Sequence, residues 1–390
     1  MMQLLQDTTQ PAAHELRRYR VAVVLFFVIQ GLVFATWASR IPQIQQAHQF
    51  SDGAWGSVLF SLPAGLLVGL PLSGWATVRF GSRRSILLAA IVHICLLPCI
   101  TLASEVWQLV VVLFFFGLSG NLLNISVNTQ AVGVEALYGR SIMAALHGMW
   151  SLSAFAGAAI GALMISQEII PLYHFSLMGI PLLLLAFYTQ NKLLSDEQTS
   201  AEKKKLFVMP DKPLLKLGLV ALCGMMCEGT MFDWSGIYFS KVVQPPEDLV
   251  ALGYVAFMGA MAGARFIGDK IAFRLGIRRT IQVNGLLITT GLLIAVISPQ
   301  MLTVIIGFVL VGFGVSTVVP LVYGMSAKSK TMPAGMAITA VSSIGFMGFL
   351  FGPPLIGYIS ELSSLRWSFG LVALLGLGVS MLIGQVDFKK

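Results

Sequence analysis

Apolar stretches of about 20 residues recur along the whole chain, separated by short charged or turn-forming segments. A helix of that length crosses the hydrocarbon core of a bilayer, because each helical residue advances the chain by about 1.5 Å. The pattern therefore predicts an all-α membrane protein with twelve transmembrane helices, over residues 20–39, 55–77, 85–103, 107–130, 142–166, 170–190, 214–239, 249–269, 280–298, 301–325, 334–358 and 365–386.

Composition supports lipid as the solvent of these helices. The chain has 390 residues, of which 56% are hydrophobic and only 11% are charged, whereas soluble domains contain about 25% charged residues. A water-soluble fold could not bury so much apolar surface. The residues before the first apolar stretch are polar, and no small-residue cleavage site follows it closely. We therefore expect the first span to be a permanent helix and not a signal peptide.

The basic residues predict the orientation in the membrane. Nearly all of the 25 Lys and Arg residues lie on the side that holds both termini; the exceptions are Arg40, Lys241 and Arg366 on the other side and Arg265 within a span. Because Lys-rich and Arg-rich loops stay in the cytoplasm, we expect both termini to be cytoplasmic. The net charge of +8 is then a topology signal, and no nucleic-acid recognition motif accompanies it.

One long polar segment divides the chain into two parts. Residues 191–213 are charged and contain two prolines, so we expect a cytoplasmic linker there. The expected organisation is a cytoplasmic segment over 1–19, a six-helix bundle over 20–190, the linker, a second six-helix bundle over 214–386, and a cytoplasmic tail over 387–390.

An internal repeat relates the two bundles. The pattern R-x-G-x-R-R follows the second span and recurs 195 residues later, after the eighth. Gln30 and Phe34 of the first span also have counterparts in Glu228 and Phe232 of the seventh. Together these matches predict two structurally equivalent halves. The repeated loop consists of Gly74, Arg79, Gly81, Arg83 and Arg84 in the first half and Arg274, Gly276, Arg278 and Arg279 in the second.

The spans in two groups of six, the central linker and the loop GWATVRFGSRR together resemble the major facilitator superfamily (MFS). Within it, EGTMFDWS, ARFIGD and GPPLIGY are similar to bacterial inner-membrane permeases related to fucose-type sugar permeases. The resemblance implies two pseudo-symmetric six-helix bundles, a monomer in the bacterial inner membrane, and transport by alternating access. Val78 departs from the family, whose loop has an Asp at this position that helps to lock the cytoplasmic side.

Glu228 lies in the middle of the seventh span, about 21 Å from its start. A charged group at this depth costs about 2.5–3.5 kcal/mol, so such residues usually face a cavity or a partner. No basic neighbour is evident for it. A carboxyl group that meets water from each side in turn is a natural proton carrier, so we expect a coupling or substrate role. The alternative is a protonated structural residue that hydrogen-bonds to another helix.

Two further charged pairs are suggested by depth and spacing. Asp233 and Arg40 lie at similar periplasmic depths on the equivalent spans seven and one, which favours a gating ion pair. The alternative is that each side chain reaches the membrane surface alone. Arg265 and Asp269 are four residues apart in span eight, near its predicted cytoplasmic end, which favours a structural pair.

Further polar and aromatic residues are expected to line a central cavity for a small-molecule substrate. Three amides of span four follow helical spacing and form one stripe. His147 either shares protons or only hydrogen-bonds between helices, and the tryptophans either line the cavity or anchor the membrane interface. The expected lining comprises Glu228, Gln30, Trp37, Asn121, Asn124, Asn128, His147, Trp150 and Ser151.

Other functional classes fit the sequence less well. A nucleotide-driven pump needs a G-x-x-x-x-G-K-[ST] motif, and the chain has none. An intramembrane serine protease could use Ser119 within Gly117–Gly120, with His147 as its base. A passive channel would need a selectivity filter or a ring of charges.

The cysteine pairs Cys95/Cys99 and Cys223/Cys227 favour packing over metal binding, since no zinc-type spacing accompanies them. The sequence therefore predicts a proton-coupled symporter for a polar solute such as a sugar, with no enzymatic activity, cofactor or metal. Export of metabolites or drugs is the alternative.

Overall fold

The computed structural model describes residues 13–139, 142–195 and 211–386. The predicted tail over 387–390, most of the linker and the first twelve residues lie outside this part of the chain. The described α-helices, α1 to α15 in chain order, are Ala13–Ala38, Ile41–Ala47, Asp52–Leu59, Ser61–Phe80, Ser82–Leu102, Val106–Tyr138, Met143–Ser166, Pro171–Gln190, Lys212–Tyr238, Leu252–Leu275, Ile277–Ile297, Met301–Val315, Val318–Ser326, Ala334–Leu362 and Leu365–Gly384.

Twelve helical segments are long and apolar enough to cross a membrane, which confirms the predicted spans. Three of them contain breaks, and the first of these consists of α1 and α2. The second consists of α3 and α4, and the tenth consists of α12 and α13, interrupted at Ser316 and Thr317. The hydroxyl of Ser316 donates to the carbonyl of Phe313 at 2.7 Å, a local bond that competes with regular helix. The eighth span continues to Leu275, beyond its predicted end at residue 269, so Arg265 lies deeper than predicted.

The first and seventh spans form the centre of the bundle. In their most apolar stretches, 67% and 78% of the residues are buried, against 28–50% in the other ten spans. Each is packed closely by a helix from its own half: Gly157 of α7 faces Ala35 of α1, and Gly352 of α14 faces Met226 of α9. Gly157 and Gly352 occupy the repeat-related positions, so the internal repeat appears in the helix packing as well as in the sequence.

The R-x-G-x-R-R loops adopt the same backbone in both halves. Gly81 separates α4 from α5 with φ 84° and ψ 153°, and Gly276 separates α10 from α11 with φ 82° and ψ 146°. Arg83 donates to the side chain of Asn191 at 2.6 Å, at the end of the sixth span. Arg278 donates to the carbonyl of Val386, at the end of the twelfth. We call the end of the bundle that carries these loops the linker end, and the opposite end the distal end.

These two glycines give a prediction on stability. Their φ and ψ values lie in a region that residues with a Cβ rarely adopt, at a cost of about 1–3 kcal/mol. We expect Gly81→Ala and Gly276→Ala each to lower the melting temperature of the purified protein. Gly74→Ala is the matched control, because a Cβ at Gly74 has no neighbour within 4 Å. Equal melting temperatures for all three variants would contradict the prediction.

Candidate functional site

Glu228 and Arg265 form an ion pair in the interior of the bundle. Nη2 of Arg265 on α10 lies 3.2 Å from Oε1 of Glu228 on α9, and the side chains are 18% and 11% exposed. Glu228 is 16 residues from the start of α9, so it is about 24 Å along the helix. The expectation that Glu228 has no basic neighbour is therefore wrong. The pair could not be predicted from spacing along the sequence, because Glu228 and Arg265 lie on different helices.

The same geometry corrects the predicted Arg265–Asp269 pair. Asp269 is exposed, about one helical turn nearer the linker end, and makes no ion pair among the described residues. The guanidinium instead turns into the bundle, where a carboxylate at its own depth offsets the desolvation of its charge.

Arg265 also connects the two halves. Its Nη1 donates to Oγ of Ser151 on α7, in the first half, at 2.5 Å. Its Nε donates to the carbonyl of Ser316 at 3.3 Å, at the break between α12 and α13. The guanidinium carbon lies 5.6 Å from the ring centroid of Trp150. Trp150 and Ser151, which the sequence predicts to line the cavity, both contact the arginine of the ion pair.

The other predicted lining residues divide into three groups. Asn124 and Asn128 are half-buried, and Nδ2 of Asn128 donates to the carbonyl of Asn124 at 2.8 Å. Gln30 and Asn121 are buried, and the side-chain oxygen of each has no hydrogen-bond partner among the described residues. His147 is exposed and packs its ring against Phe27, with centroids 5.2 Å apart.

Trp37 does not belong to the cavity lining. It is fully buried, 6.4 Å from Phe116 between ring centroids, and therefore packs within its own half. The cavity-lining prediction for this residue is wrong, because an indole at helical spacing looks the same in sequence whether it faces a cavity or a neighbouring helix.

An aromatic layer lies about one helical turn to the distal side of the ion pair. The rings of Phe34 on α1 and Phe232 on α9 meet edge to face at 5.0 Å between centroids. Phe34 also lies 5.9 Å from Trp150, and Phe232 lies 5.8 Å from Phe257. Phe34 and Phe232 are the residues matched by the internal repeat. They meet where the two halves touch, and their rings cover the ion pair from the distal end.

The predicted Arg40–Asp233 gate is not formed. Arg40 is fully buried in the first half, where Nε donates to Nδ1 of His174 at 3.0 Å and Nη2 donates to the carbonyl of Ile169 at 2.9 Å. Its remaining nitrogen donates to Gln43 at 2.5 Å. Among the described residues, Asp233 has no partner for a hydrogen bond or an ion pair. Similar depth did not imply proximity, since three neutral acceptors hold Arg40 away from the half interface.

A cluster around Asp52 closes the distal end instead. Lys241, after α9, lies 2.6 Å from Oδ1 of Asp52, and the hydroxyl of Ser360 on α14 donates to Oδ2 at 2.5 Å. Gln45 of the first half donates to the same carboxylate at 2.9 Å. Beside it, the backbone N–H of Gly53 donates to Glu361 at 2.9 Å. These contacts join α3 of the first half to the second half.

The Asp52 cluster escaped sequence analysis, although one signal was present. Asp52 follows Ser51, whose hydroxyl caps α3, so the carboxylate looks like an ordinary first-turn acidic residue. Lys241 was that signal, because a lysine on the side with few basic residues suggests a local carboxylate partner.

The distal closure gives a prediction on conformation. We expect Asp52→Ala to remove three side-chain hydrogen bonds between and within the halves and to shift the equilibrium about 5–30-fold towards a state open at the distal end. Spin labels placed on α3 and α14 would measure the separation. The exchanged pair Asp52→Lys with Lys241→Asp should restore much of the closed population. An unchanged distance distribution in Asp52→Ala would refute this role.

The structure does not assemble the protease arrangement. Ser119 is 3% exposed, and its hydroxyl lies 3.2 Å from Nδ1 of His93, not beside His147. The hydroxyl also donates to the backbone carbonyl of Phe116 at 3.1 Å. A nucleophile buried in this way cannot meet a substrate. The four cysteines form no disulfide.

Two equivalent bundles with a charged site between them define the class of secondary membrane transporters. Comparison with known proteins makes this specific: the Major Facilitator Superfamily model matches residues 21–333. The chain belongs to the Major Facilitator Superfamily. It is 32% identical over 375 residues to an uncharacterised MFS-type transporter of Yersinia pestis, with 96% of each chain covered.

Solved structures show the same fold. The nucleoside transporter NupG has a TM-score of 0.74 at 10% identity, covering 95% of this chain and 100% of that one. A bacterial homologue of the human lysosomal transporter Spinster, in an inward-facing and unoccupied conformation, has a TM-score of 0.75 at 12% identity, with 96% and 97% covered. The homologues and the fold are thus those of transporters.

Proposed function

We propose that this protein is a proton-coupled secondary transporter that carries a small polar solute, such as a sugar or related metabolite, into a bacterial cell across the inner membrane. The observation that carries the proposal is the Glu228–Arg265 pair, which lies between the halves and contacts Ser151 across the interface. A titratable carboxyl at this place meets each side of the membrane in turn as the halves rock. The chain contains both halves, so we propose that it acts as a monomer without a cofactor.

The proposed orientation follows from the charged loops. The linker end carries the Arg-rich loops after the second and eighth spans, and such loops stay in the cytoplasm. With the linker end cytoplasmic, the closed Asp52 cluster faces the periplasm. The periplasmic end is then closed in this conformation, and entry of solute requires the Asp52 cluster and the aromatic layer to open.

Glu228 has a defined part in the proposed cycle. In this conformation it pairs with Arg265, and we propose that it carries no proton in the paired form. When the site faces the periplasm, where protons are more abundant, Glu228 takes up a proton as solute binds. It releases the proton after the halves rock inward, so the proton gradient drives solute accumulation.

The proposal is tested with the purified wild-type protein in two steps. A thermal-shift screen against metabolites identifies a solute that raises the melting temperature. Proteoliposomes are then loaded at neutral pH and diluted into acidic buffer that contains this solute in radioactive form. We expect accumulation above the external concentration, and its collapse when nigericin dissipates the pH gradient. Uptake that nigericin leaves unchanged would overturn proton coupling.

A further inference from the structure

The guanidinium of Arg265 has donors to spare. An arginine carries five N–H groups, and three nitrogens of Arg265 each make one described hydrogen bond, to Ser316, Ser151 and Glu228. Two N–H groups of the planar fork therefore have no partner among the described residues. The contact with Glu228 uses one carboxylate oxygen at 3.2 Å, longer than the about 2.7–2.9 Å of strong charged bonds. The pair is monodentate, so the guanidinium can still bind another carboxylate through two shorter hydrogen bonds.

Charge balance restricts what such a site can carry. When Glu228 takes up a proton, Arg265 is left as an unpaired cation inside the bundle, which is strongly unfavourable. A neutral solute cannot relieve this, whereas an anionic one can. The site without solute, with Arg265 positive and Glu228 negative, is neutral. The site with one bound carboxylate and one proton on Glu228 is neutral as well, so both forms can cross between the two conformations.

We propose that the solute is a small organic anion whose carboxylate binds Arg265 in place of Glu228. This inference rests on the proposed proton-coupled transport and names its substrate class. The solute carboxylate forms the bidentate pair with the fork of Arg265, and the Glu228–Arg265 contact breaks. The released carboxylate of Glu228 accepts one proton from water. One anion and one proton then move together, with no net charge.

The surroundings of the pair fit such a solute. The indole of Trp150 and the rings of Phe34 and Phe232 offer flat apolar surface beside the cation. Among the described residues, His147 on α7 interacts electrostatically with Arg265, and Tyr323 on α13 interacts with Glu228. Among the described residues of this region, Arg265 is thus the cation that can bind a solute carboxylate.

The test uses solutes that share a skeleton and differ in charge: D-gluconate, sorbitol and glucamine, and 4-hydroxybenzoate, 4-hydroxybenzyl alcohol and 4-hydroxybenzylamine. Binding is measured by thermal shift of the purified full chain. We expect a carboxylate in at least one series to bind at least about tenfold more tightly than its alcohol and amine. A pH dye in weakly buffered solution should report uptake of one proton for each carboxylate bound.

Variants separate this inference from the proposed function. Arg265→Gln and Arg265→Lys should lose carboxylate binding, whereas Asp269→Asn, four residues away and exposed, should retain it. If Arg265→Gln does not fold, Glu228→Gln with Arg265→Gln, which leaves no unpaired charge, takes its place. Equal or tighter binding of the alcohol or amine, no binding in either series, unchanged binding in the Arg265 variants, or carboxylate binding without proton uptake would each overturn the inference.

Uptake measurements on the same solutes show which proposal has failed. A neutral solute that accumulates with the pH gradient, and stops accumulating in Glu228→Gln, would overturn the anion inference and leave proton-coupled transport standing. Carboxylate binding at Arg265 without any gradient-driven uptake would overturn the proposed function, and with it the coupled movement of anion and proton.

Discussion

Replacing Arg265 by glutamine is expected to stop transport and to destabilise the protein by about 3–5 kcal/mol. The reason is the environment of Glu228, whose side chain is 11% exposed and has Arg265 as its described ion-pair partner. Without the guanidinium, a carboxylate remains buried with no compensating charge. The contact with Ser151 across the halves is lost as well. Thermal unfolding of the purified variant measures the loss of stability, and solute uptake in proteoliposomes measures the loss of transport.

Two controls make the Arg265 prediction specific. Asp269→Asn removes the carboxylate that sequence spacing assigned to Arg265, and it should leave stability and uptake unchanged because Asp269 makes no described ion pair. Glu228→Gln combined with Arg265→Gln should recover much of the lost stability, since no unpaired charge remains. A loss in Asp269→Asn as large as that in Arg265→Gln would contradict the Glu228–Arg265 assignment.

Replacing Glu228 by glutamine is expected to abolish solute accumulation driven by a pH gradient. Glutamine keeps the shape and the hydrogen-bonding oxygen of the protonated side chain but cannot bind or release a proton. The variant should therefore still exchange internal for external solute, because that half of the cycle needs no change of protonation. Comparing gradient-driven uptake with exchange in the same vesicles separates lost coupling from a general loss of activity.

Glu247→Gln is the matched control for this variant. Glu247 is an exposed glutamate in the distal loop between α9 and α10, outside the cavity. The Glu247→Gln variant should accumulate solute like the wild type. If Glu228→Gln also accumulates solute at the wild-type rate, Glu228 is not the coupling group.

The sequence predicted the fold almost completely, for a physical reason. In lipid, each span must satisfy its own backbone hydrogen bonds, so every apolar stretch of sufficient length becomes a helix. The repeat was readable because Gly81 and Gly276 are needed for the same positive-φ turn. The breaks in the second and tenth spans were missed. They depend on local bonds such as that of Ser316 and not on hydropathy.

The site was only partly predictable. Depth along a helix identified Glu228, and the internal repeat identified Phe34 and Phe232. Both the depth and the repeat offset can be counted in residues along the sequence. Partners on other helices could not be counted in this way. Arg265 was assigned to Asp269 and Arg40 to Asp233, whereas rotation about the helix axis turns these side chains to Glu228 and to His174.

The most direct test of proton-coupled transport is the internal pH of proteoliposomes that contain a trapped pH-sensitive dye. Adding the identified solute to the outside, with no imposed gradient, is expected to acidify the interior in wild-type vesicles, because each solute enters with a proton. Vesicles with Glu228→Gln should show no acidification. Solute entry into wild-type vesicles with no change of internal pH would contradict proton-coupled transport through Glu228.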